Sequence, residues 1–594
     1  MGRGDALGDL DVSTLLDFAE WACALSLDHP PAGVRERLRW QAASVLGAAS
    51  AGTQSDEVEP LLALARSMGD GHLQVAPGVG ALSMEGALLA GSGLSMAHDF
   101  DDWLLCGHTG HSAVWAAWLG GAQHGASWDA TLRAQLAANE ILGRLGGLCL
   151  AGRQNGQAWS FLHAVGGALV HGMLKGLDPE RLAHAMALAL AQAPHVDWSL
   201  FGSSGKVLTA ARPLLDGWRM ATLAEAGMEG PLGILDGDSD FLAVFTQGRP
   251  LRGWLTGLPK HDPTRTTWLT WSLAVKTVPG CAYLSTAVEA LTQIDADVRE
   301  ERGEPLRADD VLRIDVDAGL LTLAMERLLG ADAPLTPVSI NFSVARSLAL
   351  HLIAGSVRPG SLTTESLDAH GHDVAELATR IWLHHDWRLT LKTWNALKAG
   401  IGIDRLVAGI GPVPLLAAAG RAAGSLEAAR SLAELPMALT GERFQELDGE
   451  EPGELLNRGL ERLSSYAARG LQKLLGPTFE SRARPRPPAL DGRDLSALQV
   501  PIPARVRVLQ RDGRVREAEV DIALGAPGTP DGLMRRAVHD KLRAALDALH
   551  PDRALAHQRL ADALVGAPGG DNQTPGSGPL PGTGPADVLR RLGG

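Results

Sequence analysis

The chain has 594 residues, 45% of them hydrophobic and 21% charged, with a formal net charge of −14. That length exceeds what one simple core holds, so two or more domains are expected. The acidic balance argues against a nucleic-acid partner, because neutralising phosphates needs a basic surface. No run of about eighteen apolar residues is present to span a membrane, and no apolar segment follows a basic start as in a secretory leader. Cys23, Cys106, Cys149 and Cys281 are far apart and form no CxxC. This spacing disfavours a zinc knuckle or a disulfide framework and points to a reduced, cytoplasmic protein.

Residues 10–290 read as many helices. Leu182, Ala185, Met186 and Ala189 recur at helical spacing, as do Leu132, Leu136 and the Asn139-Glu140-Ile141 stretch. Asp178-Pro179-Glu180 is a helix start, with Asp as N-cap and Pro in the first turn. Strand signals are sparse until Val311 to Asp317, which alternates apolar and polar residues as a half-buried strand does. Residues 340–355 and 361–380 read as helices, and His384-His385-Asp386 as a solvated turn. Arg505 to Val508 and Val515 to Val520 flank Asp512-Gly513, a hairpin dipeptide. Residues 400–490 read as an inserted helical segment with a Pro-rich end. Residues 566–586, mostly Gly, Pro, Ser and Thr, read as a disordered tail.

The densest chemistry lies between His98 and His111. Asp99, Asp101 and Asp102 alternate there with His98, His108 and His111, flanked by apolar residues on both sides. Titratable groups in apolar surroundings have shifted pKa values, and such groups collect at active sites. Two motif-like matches fail. Gly202-Ser203-Ser204-Gly205-Lys206 has Leu200 where a phosphate loop needs its first Gly, and Asp236 to Asp240 has Phe241 at the turn-Gly position of a calcium loop.

A series of stretches resembles the MmgE/PrpD family, which includes 2-methylcitrate dehydratases, cis-aconitate decarboxylases and iminodisuccinate epimerases. It runs through Leu16-Asp17-Phe18-Ala19, Val45 to Gly52, Ala97 to Asp102, the His108 segment, and Ala138 to Leu145. Further on it takes in Gly176-Leu177-Asp178, Lys206-Val207-Leu208, Gly230-Pro231, Lys276 to Cys281 and Asn341-Phe342-Ser343. The resemblance implies a mainly α fold: an all-helical domain over 10–299 and a smaller α/β lid over 300–550 that carries the 400–490 insertion. It also implies a homodimer, an active site between helical core and lid, a small carboxylic acid as substrate, and no cofactor or metal.

The implied reaction is that of a lyase or isomerase. A proton is taken from carbon next to a carboxylate, and dehydration, decarboxylation or epimerisation follows. Such a proton is weakly acidic, so its removal needs a placed base and cations to hold the developing charge. Asp99 matches the first Asp of the family's DFDD motif and is expected to orient a histidine; an N-cap or buried acceptor is its structural alternative. Asp101 and Asp102 are expected to be structural. His108 matches the motif histidine and is the candidate general acid or base, with His111 close enough to replace it. Lys206 and Lys276 match two family lysines suited to a di- or tricarboxylate, and Cys281 stands where some members have His. Trp103, Gln157, His163, Arg212 and Tyr283 are the candidate substrate contacts. Trp103 replaces a Thr and Gln157 a His of the family pattern. Trp115, Trp118, Trp159 and Trp198 also fall in or near motif segments, where they either pack in the core or line an apolar pocket. These departures leave two alternatives open: an enzyme of the same fold recruited to a larger, more apolar substrate in specialised metabolism, or a non-catalytic relative.

Overall fold

The computed structural model describes residues 13–593 except 153–154, 157–158, 259–265, 327–333, 407–489, 491 and 568–583. Its contacts divide the chain into two units. The first comprises Met1–Thr277, Ala489–Ser496 and Pro530–Gly594, and the second Val278–Pro488 and Ala497–Thr529. The fold is mainly helical, with a smaller α/β part. The range 300–550 expected for the lid is therefore split, because the helix from Asp531 onward clusters with the first unit. The expected insertion falls almost wholly outside the described residues, as does most of the expected tail, although a helix begins within that tail at Pro585.

The first unit contains α1 (Thr14–Ala24), α2 (Ala32–Gly52), α3 (Glu59–Ser67), α4 (Met84–Met96), α5 (Gly110–His124) and α6 (Trp128–Leu148). It continues with α7 (Phe161–Lys175), α8 (Pro179–Ala191) and α9 (Leu208–Glu225). Starts follow local chemistry. Ser83 caps α4 by accepting from Gly86 N, Ser127 caps α6 by accepting from Ala130 N, and Asp178 caps α8 by accepting from Arg181 N. From Gly86 to Met96 in α4 and from Gly110 to Gly121 in α5 every residue is buried. These helices are buried all round, as central helices are, and so are the stretches Trp40–Gly52 of α2, Ala134–Leu148 of α6 and Phe161–Met173 of α7.

One correction applies to the helical region. β1 (Asp102–Trp103) pairs antiparallel with β2 (Ala274–Val275), Asp102 opposite Val275 and Trp103 opposite Ala274. A two-residue strand is too short to leave a period-2 signal, so the sequence pattern does not show it. The ladder brings the segment before Lys276 alongside the Asp-rich segment after α4.

Glu140 and Arg144 explain why the 138–145 stretch has its form. Both side chains are fully buried on α6 and pair at 2.8 Å. Glu140 also accepts from Leu269 N at 2.8 Å, Thr270 N at 2.9 Å and Thr270 Oγ1 at 2.7 Å. Arg144 donates to the carbonyls of Thr256, Gly257 and Thr267. The pair thus fixes an irregular segment to α6 by satisfying its backbone groups. Removing one partner leaves a buried charge uncompensated, so Glu140→Ala is expected to cost about 3–5 kcal/mol. Denaturant unfolding checks this; a loss below about 1 kcal/mol contradicts the assignment.

In the second unit, α10 (Ser285–Arg302) precedes a four-stranded sheet of order β4-β3-β5-β6. Its strands are β3 (Val311–Ala318), β4 (Ile381–His385), β5 (Ala504–Gln510) and β6 (Val515–Val520). β3 and β4 are parallel and linked through the helices α11 (Val344–Ala354) and α12 (Thr364–Ala378), while β3–β5 and β5–β6 are antiparallel. Gly513, at φ +85°, makes the β5–β6 turn. His384 and His385 lie in β4 rather than in a turn. His385 is buried and its Nε2 lies 2.9 Å from Thr390 Oγ1. His384 is the more exposed of the pair, and Asp386 caps the next helix by accepting from Arg388 N.

The chain returns to the first unit with α13 (Asp531–Leu549) and α14 (Ala554–Val565), and ends with α15 (Pro585–Gly593). The Cα of Leu542 on α13 approaches α2 so closely that a Cβ on Gly47 would sit 3.2 Å from it.

Candidate active site

The segment between α4 and β1 turns sharply. Asp99 has φ +51°, one of two non-glycine residues with positive φ among the described residues. That conformation costs about 1 kcal/mol or more and persists where surrounding contacts over-determine it. Here four successive carbonyls are held. Asp99 O accepts from Lys276 Nζ at 2.9 Å, Phe100 O from Lys541 Nζ, Asp101 O from Lys276 N at 3.1 Å, and Asp102 O from His108 Nδ1 at 2.9 Å.

Asp101 is the hub. Its carboxylate is fully buried. Oδ1 accepts from Lys276 Nζ at 2.7 Å, and Oδ2 lies 2.7 Å from His108 Nδ1 and 2.9 Å from His111 Nε2. Asp99 Oδ1 lies 3.0 Å from Lys206 Nζ and 3.3 Å from Lys276 Nζ. The structure therefore brings together Asp99, His108, His111, Lys206 and Lys276, and adds Asp101, which the sequence reading set aside as structural. In an irregular segment no periodicity tells which of several adjacent carboxylates points inward.

His108 is the partly exposed member, with 19% of its side chain accessible against none for His111 and Asp101. Its Nδ1 faces a carboxylate and a carbonyl, neither of which can donate, so Nδ1 carries the proton and the neutral ring presents Nε2 as its acceptor. His111 Nδ1 lies 2.8 Å from Ser95 Oγ. His163 is buried, its Nδ1 3.2 Å from Ser112 Oγ and its ring centre 5.8 Å from that of His111.

Asp102 turns to a separate polar network. Its Oδ2 accepts from Gln41 Nε2 at 2.8 Å, and Gln41 is linked to Asn139, Thr109 and Gln135. A Cβ on Gly110 would lie 1.9 Å from Asp102 Oδ1, so α5 must open with glycine.

Arg212 does not join the cluster. Arg212 is 78% exposed on α9, 3.6 Å from Asp216, and lines a cavity of about 1020 Å³ with His195 and Arg219. Cys281 and Tyr283 belong to the second unit. Cys281 is buried and its N–H donates to Asn341 O at 2.8 Å, while Tyr283 O accepts from Thr322 Oγ1 at 2.9 Å. Gln157 and the Trp198 side chain lie outside the described residues. Trp103 is half-buried on β1, where successive side chains point to opposite faces, so it faces away from Asp102. Trp115 and Trp118 are fully buried on α5, their indole N–H groups donating to Ser95 Oγ and Gln135 Oε1. Trp159 is also buried. Trp115 and Trp118 are thus core residues.

Residues 16–253 match the MmgE/PrpD N-terminal domain model. This part of the chain is an MmgE/PrpD N-terminal domain. The matched range carries Asp99, Asp101, His108, His111, His163 and Lys206 of this cluster. No curated protein matches the chain.

Electrostatics follow from this packing. Burial pushes the Asp99 carboxyl up, but Lys206 and Lys276 outweigh it and hold it below the usual carboxylate range. Burial likewise opposes ionisation of Asp101, and Lys276, His108 and His111 hold it well below that range. Asp102 shifts upward, through burial and the neighbouring Asp101 charge. Asp101, His108 and His111 offer ligand atoms within 4.8 Å of one another. Both ring nitrogens converge on one oxygen, however, and an ammonium occupies the other. His108 Nδ1 and the Lys276 ammonium thus already meet the two carboxylate oxygens, a poorer fit to a divalent ion than to a hydrogen-bonded cluster.

Among the described residues four buried imidazoles are pushed down by desolvation: His98 to about 4, His171 to about 4, His351, and His163 well below its ordinary value, with His111 and His108 adding to the effect on His163. In the unfolded chain they titrate near ~6.5. Between about pH 6.5 and 4 the unfolded state therefore binds more protons, and stability falls as pH falls through that window. Asp99 and Asp101, whose folded values are depressed, extend the loss below about pH 4. Calorimetry from pH 7 to 4 should show Tm decreasing throughout. His171→Phe, which keeps a ring against Trp218 (now stacked at 3.6 Å), should flatten the slope above pH 4. An unaltered slope contradicts this account.

Proposed function

We propose that this protein is a member of the MmgE/PrpD family, a lyase or isomerase that abstracts a proton next to a carboxylate, leading to dehydration, decarboxylation or epimerisation of a small polycarboxylic acid. The observation that supports it best is the Asp101–His108 pair, with His108 as its partly exposed end and two lysines beside it. Asp101 fixes the tautomer of His108 and stabilises the imidazolium that forms, as a buried carboxylate does for a catalytic imidazole. Nε2 takes the substrate proton. The ammonium groups of Lys206 and Lys276 offset the charge that grows on the substrate carboxylate as its α-carbon loses the proton. His111 and His163 lie behind His108 as alternative or supporting proton carriers. A cytoplasmic homodimer is the assembly we infer, from the family resemblance.

The test is proton exchange. Purified protein is incubated in deuterium oxide with a panel of small di- and tricarboxylic acids, and loss of the α-proton signal and any product are followed by NMR. At least one acid should exchange or react. His108→Ala should lower that rate by about two to four orders of magnitude. Lys206→Ala should reduce kcat and raise KM together, because a carboxylate-holding cation acts in ground and transition states alike. Full activity in the double variant lacking His108 and His111 overturns the proposal, as does a panel with no exchange at all.

A further inference from the structure

α13 carries a buried lysine in the middle of its apolar stripe. Met534, Val538, Leu542, Ala545 and Leu546 form that stripe, and Lys541 stands among them, three positions after Val538 and four before Ala545. A lysine there loses its hydration, so something must replace it. Two acceptors and a ring do. Lys541 Nζ donates to Ser44 Oγ on α2 at 2.8 Å and to Phe100 O, and lies 4.0 Å from the centre of the Phe100 ring. Gly47 makes this reach possible, since a larger residue would hold α13 off α2.

Phe100 sits between the two carboxylates of the cluster. Its carbonyl is the one of the four held carbonyls whose donor comes from beyond residue 500. With Asp99 at positive φ immediately before it, the peptide between Phe100 and Asp101 sets where the Asp101 carboxylate points.

We infer that Lys541 is a positioning residue for the Asp101–His108 pair, holding Phe100 so that Asp101 Oδ2 meets His108 Nδ1. This deepens the proposed function and rests on its assignment of His108. The charged groups facing Lys541 are Asp101 and Asp102 of the 99–102 segment and Lys276 after β2. Burial brings the Lys541 pKa down to about 7, with Lys276 adding to the fall and the two aspartates opposing it. An ammonium so close to losing its proton is retained at a cost, which fits a role beyond packing.

The experiment uses the full chain and two readouts. Diethyl pyrocarbonate labels histidine, and peptide mapping reports the rate at His108 as a function of pH, with no substrate needed. Lys541→Met keeps the stem over Phe100 and removes both hydrogen bonds and the charge. With the fold retained by circular dichroism, its pH midpoint of His108 labelling should move downward by about half a unit or more, because an Asp101 carboxylate displaced from Nδ1 favours the imidazolium less. In the exchange assay kcat should fall about 100-fold, the scale of a misplaced catalytic group, with KM changed less than threefold or so. Lys541→Gln, which keeps a donor for Phe100 O but no charge, should recover part of kcat. If Lys541→Met does not fold, Lys541→Gln carries both readouts and should show the same directions at smaller size. An unshifted labelling profile in a folded variant overturns the inference, even if the exchange activity exists. A shifted profile with no exchange activity on any acid supports the positioning role and counts against the proposed reaction instead.

Discussion

The cluster depends on one buried carboxylate. Asp101 gives one oxygen to Lys276 and the other to two imidazoles. Without Lys276 it would be an uncompensated charge in the core, and without Asp101 the lysine would be the same. The remaining features serve this exchange. The β1–β2 ladder delivers Lys276, the positive φ of Asp99 turns the chain so that its neighbours point inward, and Gly110 lets α5 start against Asp102. The cluster is buried, so the interaction between its charges is little screened by solvent.

Charge is balanced locally rather than over the whole surface. Asp99 and Asp101 face Lys206 and Lys276, while the nearby imidazoles His98 and His163 are driven towards their neutral forms by burial. Asp102 and Lys541 are the two groups pushed towards neutrality from opposite sides. Groups with pKa values pushed apart in one site are the usual basis for assigning acid and base roles.

Much of the scaffold was legible in the sequence, because helices bury apolar residues at a regular spacing and caps announce their starts. Asp178-Pro179 marks α8, and Asp512-Gly513 marks the β5–β6 turn. The residues of the cluster were legible as a group, since charged side chains among apolar neighbours demand partners. Their pairing was not. Asp99 and Asp101 are two residues apart in an irregular turn, and nothing periodic ranks them. Arg212 resembled a ligand for a carboxylate, yet the period of α9 leaves it on the outer face beside Asp216. Lys541 carries a legible signal of its own, a cation at a core position of an otherwise amphipathic helix. The sequence left two readings open for the tryptophans, and Trp115 and Trp118 took the core one. Large aromatic side chains in Gly- and Ala-rich helices fill volume, and Trp115 stacks its bulk where a Cβ on Gly91 would clash, 2.6 Å from its ring.

The first unit is not finished when its N-terminal helices are made. α2 lies against α13, and the Lys541–Phe100 contact spans 441 positions. A ribosome must therefore release most of the polypeptide before this pocket can close, and until then the apolar face of α2 that receives α13 stays bare. Closing so long a loop adds little to the equilibrium cost, since that cost grows only with the logarithm of length. It does slow assembly and exposes sticky intermediates. Expression of 1–277 alone would recreate that unfinished state permanently, so cutting at the boundary between the units leaves the first of them without α13.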